Sequence, residues 1–283
     1  MTALWLTVLL IVILLVKHFF LWHPVDVSHL YRHGPLKIGH RGSPKVAPEN
    51  TIPSYLKAVE SRLEAIELDV LSTSDGKVVC SHNHDLERET DGYGYIKKMT
   101  YAELAGVDAG IKFPAYSPCN IPLLEEVLDI IPENVVVNIE IKSEKPFDLR
   151  TARHVVNIIR ERNLYHRVLV SSFHPLTIGR IKWLDRRIPT AYVWDNENVP
   201  DILKKPRFID LVHPDMFHPA VHLVNENLVR FARRKGLRVN VWTVNNQPAM
   251  EWLFRLRVDG IISDFPELMH RAAAKMGGEN DTA

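Results

Sequence analysis

A chain of 283 residues with 46% hydrophobic and 24% charged side chains has the balance of a folded globular protein, which excludes bulk disorder and collagen-like structure. Its 35 basic and 34 acidic residues leave a formal net charge of +1, so composition gives no reason to expect a nucleic-acid partner. Two cysteines, Cys80 and Cys119, exclude a disulfide-rich scaffold, and no Cys/His spacing suggests structural zinc.

The first element in the chain is an apolar run. Ala3–Val16 reads ALWLTVLLIVILLV, and after Lys17 and His18 it resumes through Phe19, Phe20, Leu21 and Trp22. Residues 1–22 therefore read as a single-pass transmembrane anchor, because a span needs about 20 mostly apolar residues. A cleaved signal peptide fits less well, since no basic start precedes the run and no small-residue cleavage site follows it. Lys17 near the C-terminal end of the run, with Arg32 and Lys37 beyond it, favours a cytoplasmic catalytic domain. Residues 23–35 read as a polar juxtamembrane linker.

From Leu36 onward, β-branched runs alternate with amphipathic stretches. Strands are expected at Leu36–His40, Ala65–Leu71, Lys77–His82, Val135–Ile141, Arg167–Ser171, Thr190–Val193, Ile209–Val212, Leu237–Thr243 and Gly260–Ile262. Helices are expected at Ile52–Arg62, Leu123–Ile131, Asp148–Asn163, Pro175–Asp185, Asn225–Lys235, Gln247–Leu256 and Glu267–Lys275. About eight β–α units in about 240 residues point to a (β/α)8 TIM barrel over residues 36–275. Residues 84–122 break the rhythm and read as an insertion after the third strand, with one short helix near Tyr101–Ala105. Residues 276–283 read as a flexible tail.

The polar residues inside the strands carry the chemistry. Alternate residues of a barrel strand point inward. Glu67 and Asp69 share one parity in AIELDVL, and Asn138, Glu140 and Lys142 share one in VVVNIEIKS. Inward carboxylates repel one another unless a cation sits between them, and oxygen ligands suit Mg2+ or Ca2+. His40 ends the first strand and His82 the third, where two imidazoles can serve as acid and base. Arg41 can hold phosphate oxygens, and Gly42 lets the backbone come close to a ligand. His84, two residues past His82, either rims the site or points away.

These segments, in this order, resemble the glycerophosphodiester phosphodiesterase family. KIGHRGSPKVAPENTIPSYLKAVE is similar to the family's opening, with its HRG and PENT. IELDVLSTSDGKVVCSHN resembles the E-x-D strand and the following H-D strand, and LERETDGYGYIKKMTYAELAGVDAG the insertion. IPLLEEVL, VNIEIK, VSSF, VNVWTVN and DGIISDFP match the later blocks. The resemblance implies a barrel hydrolase of phosphodiesters with one divalent ion held by Glu67, Asp69 and Glu140. It implies His40 and His82 as the acid–base pair, Arg41 and Lys142 as phosphate ligands, Glu49 and Asn50 as supports, and Trp242 in the pocket wall. One departure is Asn83, where the family usually has Asp.

Glycerophosphodiesters are the substrates the resemblance implies. With the membrane anchor, lysophospholipids become a second candidate, their head-group alcohol released by lysophospholipase D action. No protein partner is implied. The competing reading is a non-catalytic, membrane-anchored barrel that binds lipid or serves as a scaffold.

Overall fold

The computed structural model describes residues 2–32, 34–144, 149–197 and 199–280. Among the described residues, nine strands form one sheet: β1 Leu36–Gly39, β2 Ala65–Ser72, β3 Val78–Cys80, β4 Val136–Ile141, β5 Val168–Ser172, β6 Thr190–Trp194, β7 Met216–Pro219, β8 Arg238–Val241 and β9 Gly260–Ser263. All except β3 pair in parallel, in the order β1-β9-β8-β7-β6-β5-β4-β2, and a β1–β2 pairing closes the ring. The fold is therefore an eight-stranded parallel TIM barrel. β2 and β4 read AIELDVLS and VVNIEI and are buried at every position, as expected of strands covered on both faces.

Parity sorts these strands. Ile66, Leu68, Val70, Val137, Ile139 and Ile141 point outward into the main core beneath the helices. The helix Arg150–Glu161 meets them with Ala152, Val155, Val156 and Ile159, the stripe of a helical period. Capping is local: Asn225 and Asn246 accept the backbone N–H groups of Leu228 and Ala249 at 3.0 and 2.9 Å.

Several expectations need correction. β3 is antiparallel to β2, so it forms a hairpin on a barrel strand and not a third barrel strand. The insertion that follows has its own small core of Leu86, Ile96, Leu104 and Ile121, packed on Leu71 and Val79. Ile209–Val212 is a short helix and the strand is Met216–Pro219, because a four-residue stretch carries no usable period. The last helix, Pro266–Asn280, runs into the segment expected to be a flexible tail, and residues 281–283 lie outside the described residues. So does Asp148, the expected start of the helix that begins at Arg150.

The polar linker is also corrected. Val27 and Leu30 are buried with Leu36, Ile38, Ala65, Val136, Leu169, Ala191, Met216 and Ile262, the inward residues at the start of the strands. Tyr31 packs beside them and donates its hydroxyl to Asn240 Oδ1 at 3.1 Å. This segment plugs the mouth of the barrel where the strands begin.

The expected transmembrane anchor is not upheld. Among the described residues, no helix is long and apolar enough to cross a membrane. The first helix ends at Phe20 after 19 residues, with Lys17 and His18 in its last turn. Its far end is held to the barrel, where the His18 and Trp22 rings lie 4.3 and 4.6 Å from that of His213. That leaves Ala3–Val16, broken only by Thr7, as the apolar stretch, about 21 Å at 1.5 Å per residue against a hydrocarbon core of about 30 Å. The cytoplasmic placement reasoned from Lys17, Arg32 and Lys37 loses its basis with the anchor.

Candidate active site

The site lies at the mouth where the strands end. β1 runs out at Gly39, and His40-Arg41-Gly42 turns sharply across the opening. Arg41 and Gly42 have φ of 52° and 87°, and a Cβ on Gly42 would stand 2.5 Å from Ser54 Oγ, so only glycine fits there. The turn is fixed from below by Glu67, whose Oε2 accepts the Arg41 backbone N–H at 2.8 Å.

Glu67 and Asp69 on β2 and Glu140 on β4 point inward, as their parity requires. One carboxylate oxygen from each lies within 4.8 Å of the others, and all three residues are buried. Glu67 Oε1 is buried with no hydrogen-bond partner. An orphaned acceptor facing two further carboxylates fits a divalent cation, and these three residues could hold one.

Two cations already face the cluster. Lys142 Nζ donates to Glu140 Oε1 at 2.5 Å and lies 2.9 Å from Asp69 Oδ1. Arg41 Nη1 donates to Glu49 Oε1 at 2.8 Å, and Arg41 Nε lies 3.3 Å from Asp69 Oδ2. Asn50, itself at a φ of 56°, clamps Asp69 twice: its Nδ2 donates to Asp69 Oδ2 and its Oδ1 accepts the Asp69 N–H, both at 2.9 Å. These contacts sort the carboxyls. Burial, with the Asp69 and Glu140 charges, raises Glu67 well above the usual range. Burial opposes ionisation of Asp69 too, but Lys142 and Arg41 outweigh it and hold that carboxyl low. Glu140 and Glu49 are raised chiefly by burial, with Lys142 and Arg41 respectively opposing the shift.

The two histidines have different neighbours. His40 Nδ1 lies 2.7 Å from Asp264 Oδ1; an ionised carboxylate only accepts, so Nδ1 carries the proton. Burial raises Asp264, yet the bond and charge of His40 bring it below its ordinary value. His82 Nδ1 has the amide oxygen of Asn83 at 3.2 Å. Burial and the Lys142 charge push His82 down to about 4. His84 lines a small pocket beside Lys97 and Lys142, on the rim.

Trp242, just past β8, donates its indole N–H to the His218 carbonyl at 2.8 Å. Its ring meets Phe173 edge-on at 5.1 Å, and Lys142 Nζ lies 5.7 Å from the centre of that Phe173 ring. Every site residue expected from the sequence thus stands at this mouth, with Trp242 joined to Lys142 through Phe173. Sequence reasoning missed Phe173, Asn245 and Asp264. For Asp264 a signal was present: it is two residues past the inward-facing Ile262, so it shares the inward parity.

Known proteins similar to this chain point to one family. The profile of the glycerophosphoryl diester phosphodiesterase family matches residues 40–268. A glycerophosphodiester phosphodiesterase of Caldanaerobacter subterraneus is 33% identical over 245 residues, covering 86% of this chain and 99% of that protein. The mouse glycerophosphodiester phosphodiesterase 1 is 30% identical over 243 residues, covering 74% of this chain and 71% of its own. Among solved structures, an Oleispira antarctica phosphodiesterase in complex with the product sn-glycerol-3-phosphate has a TM-score of 0.77 at 27% identity, covering 87% of this chain and 99% of that one. By its profile match, its relatives and its barrel, this chain belongs to the glycerophosphoryl diester phosphodiesterase family.

Proposed function

We propose that the protein is a metal-dependent glycerophosphodiester phosphodiesterase that splits a glycerophosphodiester into sn-glycerol 3-phosphate and an alcohol. The observation that carries this reading is the buried Glu67–Asp69–Glu140 cluster, flanked by two cations, with His40 before it in sequence and His82 between Asp69 and Glu140. A divalent ion, Mg2+ or Ca2+, held by those three carboxylates would supply charge neutralisation at a phosphate oxygen. Arg41 and Lys142, which both reach Asp69, provide fixed positive charge for the remaining phosphate oxygens. One imidazole takes the proton of the attacking hydroxyl and the other gives a proton to the departing alkoxide, help worth roughly 10²–10⁴-fold. The hydroxyl beside the phosphorylated carbon is the nucleophile we favour, since its attack is intramolecular and orientation can contribute roughly 7–11 kcal/mol. Trp242 and Phe173 supply an apolar wall.

Soluble glycerophosphodiesters are the substrates proposed, because the case for lysophospholipids rested on the anchor. A non-catalytic barrel is disfavoured: three buried carboxylates that repel one another are costly to keep without a ligand to hold. The test is to incubate the purified protein with glycerophosphocholine and Mg2+ or Ca2+ and to measure sn-glycerol 3-phosphate and choline. Stoichiometric release of both supports the reading. No turnover with either ion, in folded protein, removes it.

A further inference from the structure

The partners of the two histidines are chemically unequal. His40 is bound through Nδ1 to a carboxylate that is itself held in place. Asn245 Nδ2 donates to Asp264 Oδ2 at 2.8 Å, and Asn245 Oδ1 accepts the Asp264 backbone N–H at 3.0 Å and the Ser263 hydroxyl at 3.2 Å. Lys45 Nζ lies 3.7 Å from Asp264 Oδ2. His82 is bound through Nδ1 to an amide oxygen, which carries no charge. An imidazole on a carboxylate has its tautomer fixed and its charged form stabilised. An imidazole on an amide has its tautomer fixed and no such stabilisation.

We propose that Asp264 is a positioning residue that holds His40, with Nε2 toward the substrate, as the proton donor to the leaving alkoxide, and that His82 is the proton acceptor. The proposal rests on the His40/His82 reading given under Proposed function. The step balances as follows. The substrate hydroxyl passes its proton to His82 Nε2 as its oxygen bonds to phosphorus. The bond from phosphorus to the head-group oxygen breaks, the electron pair stays on that oxygen, and the proton on His40 Nε2 moves to it. Opening of the cyclic phosphate by water runs the two transfers in reverse and restores both imidazoles.

A donor to the leaving group matters only when the leaving group needs a proton. We would therefore compare glycerophosphocholine with the 4-nitrophenyl ester of glycerol 3-phosphate, whose nitrophenolate departs unprotonated. With Asp264→Asn, kcat on glycerophosphocholine should fall about 10²-fold, the scale of acid–base catalysis, with KM nearly unchanged. On the nitrophenyl ester, read as nitrophenolate released in the first turnover before the cyclic phosphate opens, the same variant should stay within about threefold of the parent, since that transfer is not needed. Asn245→Ala, one link further out, should move the ratio between substrates in the same direction by less. It also serves if Asp264→Asn fails to fold. Equal losses on both substrates at an unchanged melting temperature would overturn the proposal, as would leaving-group dependence appearing in His82→Ala and not in His40→Ala. His40→Ala separates the two levels of inference. If it retains full activity on both esters, the catalytic reading itself fails. If it discriminates between the esters while Asp264→Asn does not, only the role of Asp264 falls.

Discussion

At the mouth where the strands begin, Val27 and Leu30 pack against eight inward apolar side chains; at the mouth where they end, the same strands turn Glu67, Asp69 and Glu140 toward one another. Ala65 and Asp69 are four residues apart on one strand, with the same parity. One sits in a sealed apolar layer, the other among charges. The lower layer gains free energy from burial. The upper layer spends some of it by holding carboxylates close together in a dry site. Barrel enzymes commonly divide stability and chemistry between the two ends in this way. The division can be broken at either mouth, and the consequences should differ in kind.

The largest effect is expected at the carboxylates. Glu67→Gln or Asp69→Asn should lower kcat/KM for glycerophosphocholine by about 10³-fold or more, because the site loses part of the cradle proposed for its cation. Thermal melting of the metal-free variants should show no loss of stability for Glu67→Gln, and a gain is expected, because one member of a repelling set has gone. Next come the histidines. His40→Ala and His82→Ala should each cost at least about 10² in kcat, whereas His84→Ala, on the rim, should cost far less. If His84 outranks His82 in steady-state kinetics, the geometry of the site has been misread.

At the closed mouth the expectation reverses. Leu30 is 2% exposed, and Leu30→Ala should cost about 2–5 kcal/mol in urea denaturation. Kcat per folded molecule should not change. A fall in kcat with stability intact would mean that the two ends are not separable.

The smallest effect belongs to a histidine between the two layers. His218 is fully enclosed, with Asn240 Nδ2 3.0 Å from its Nε2, and burial pushes it down to about 3. Its folded value lies below its unfolded one, so between those values the unfolded chain binds the extra proton. Stability from this group is therefore complete above the unfolded value and is lost as pH falls toward 3, by at most about 1.4 kcal/mol per pH unit. His218→Gln should show a shallower decline from pH 6.5 to 5 in urea denaturation than the parent, and equal slopes would contradict the assignment.

Much of the catalytic mouth was legible in the sequence because strand parity is a strict rule. Glu67 and Asp69 inside β2, and Glu140 in β4 with Lys142 one residue past its end, are each two residues apart in apolar runs, and the structure turns them inward. What was not legible depends on tertiary contact. Phe173 falls one residue outside a strand and Asn245 lies in the loop after β8, so no pattern marked them; Asp264, one residue past β9, carried only the parity of Ile262. Val27, Leu30 and Tyr31 sit in a short polar segment whose burial exists only once the barrel has closed. The antiparallel β3 reads like any β-branched run, since direction is not written in composition. The apolar run at the N-terminus had the right content for a span, but His18 and Trp22 are engaged by His213 on the barrel wall.

The central claim is that the catalytic mouth is organised around one divalent cation. Protein stripped with EDTA should be titrated with Mg2+ and with Ca2+ by calorimetry, and glycerophosphocholine hydrolysis followed across the same titration. The expected result is a single site per chain, hydrolysis rising in step with its occupancy, and loss of both signals in Glu67→Gln and Asp69→Asn. Full hydrolysis by the stripped protein, or unchanged binding in both variants, would contradict the account.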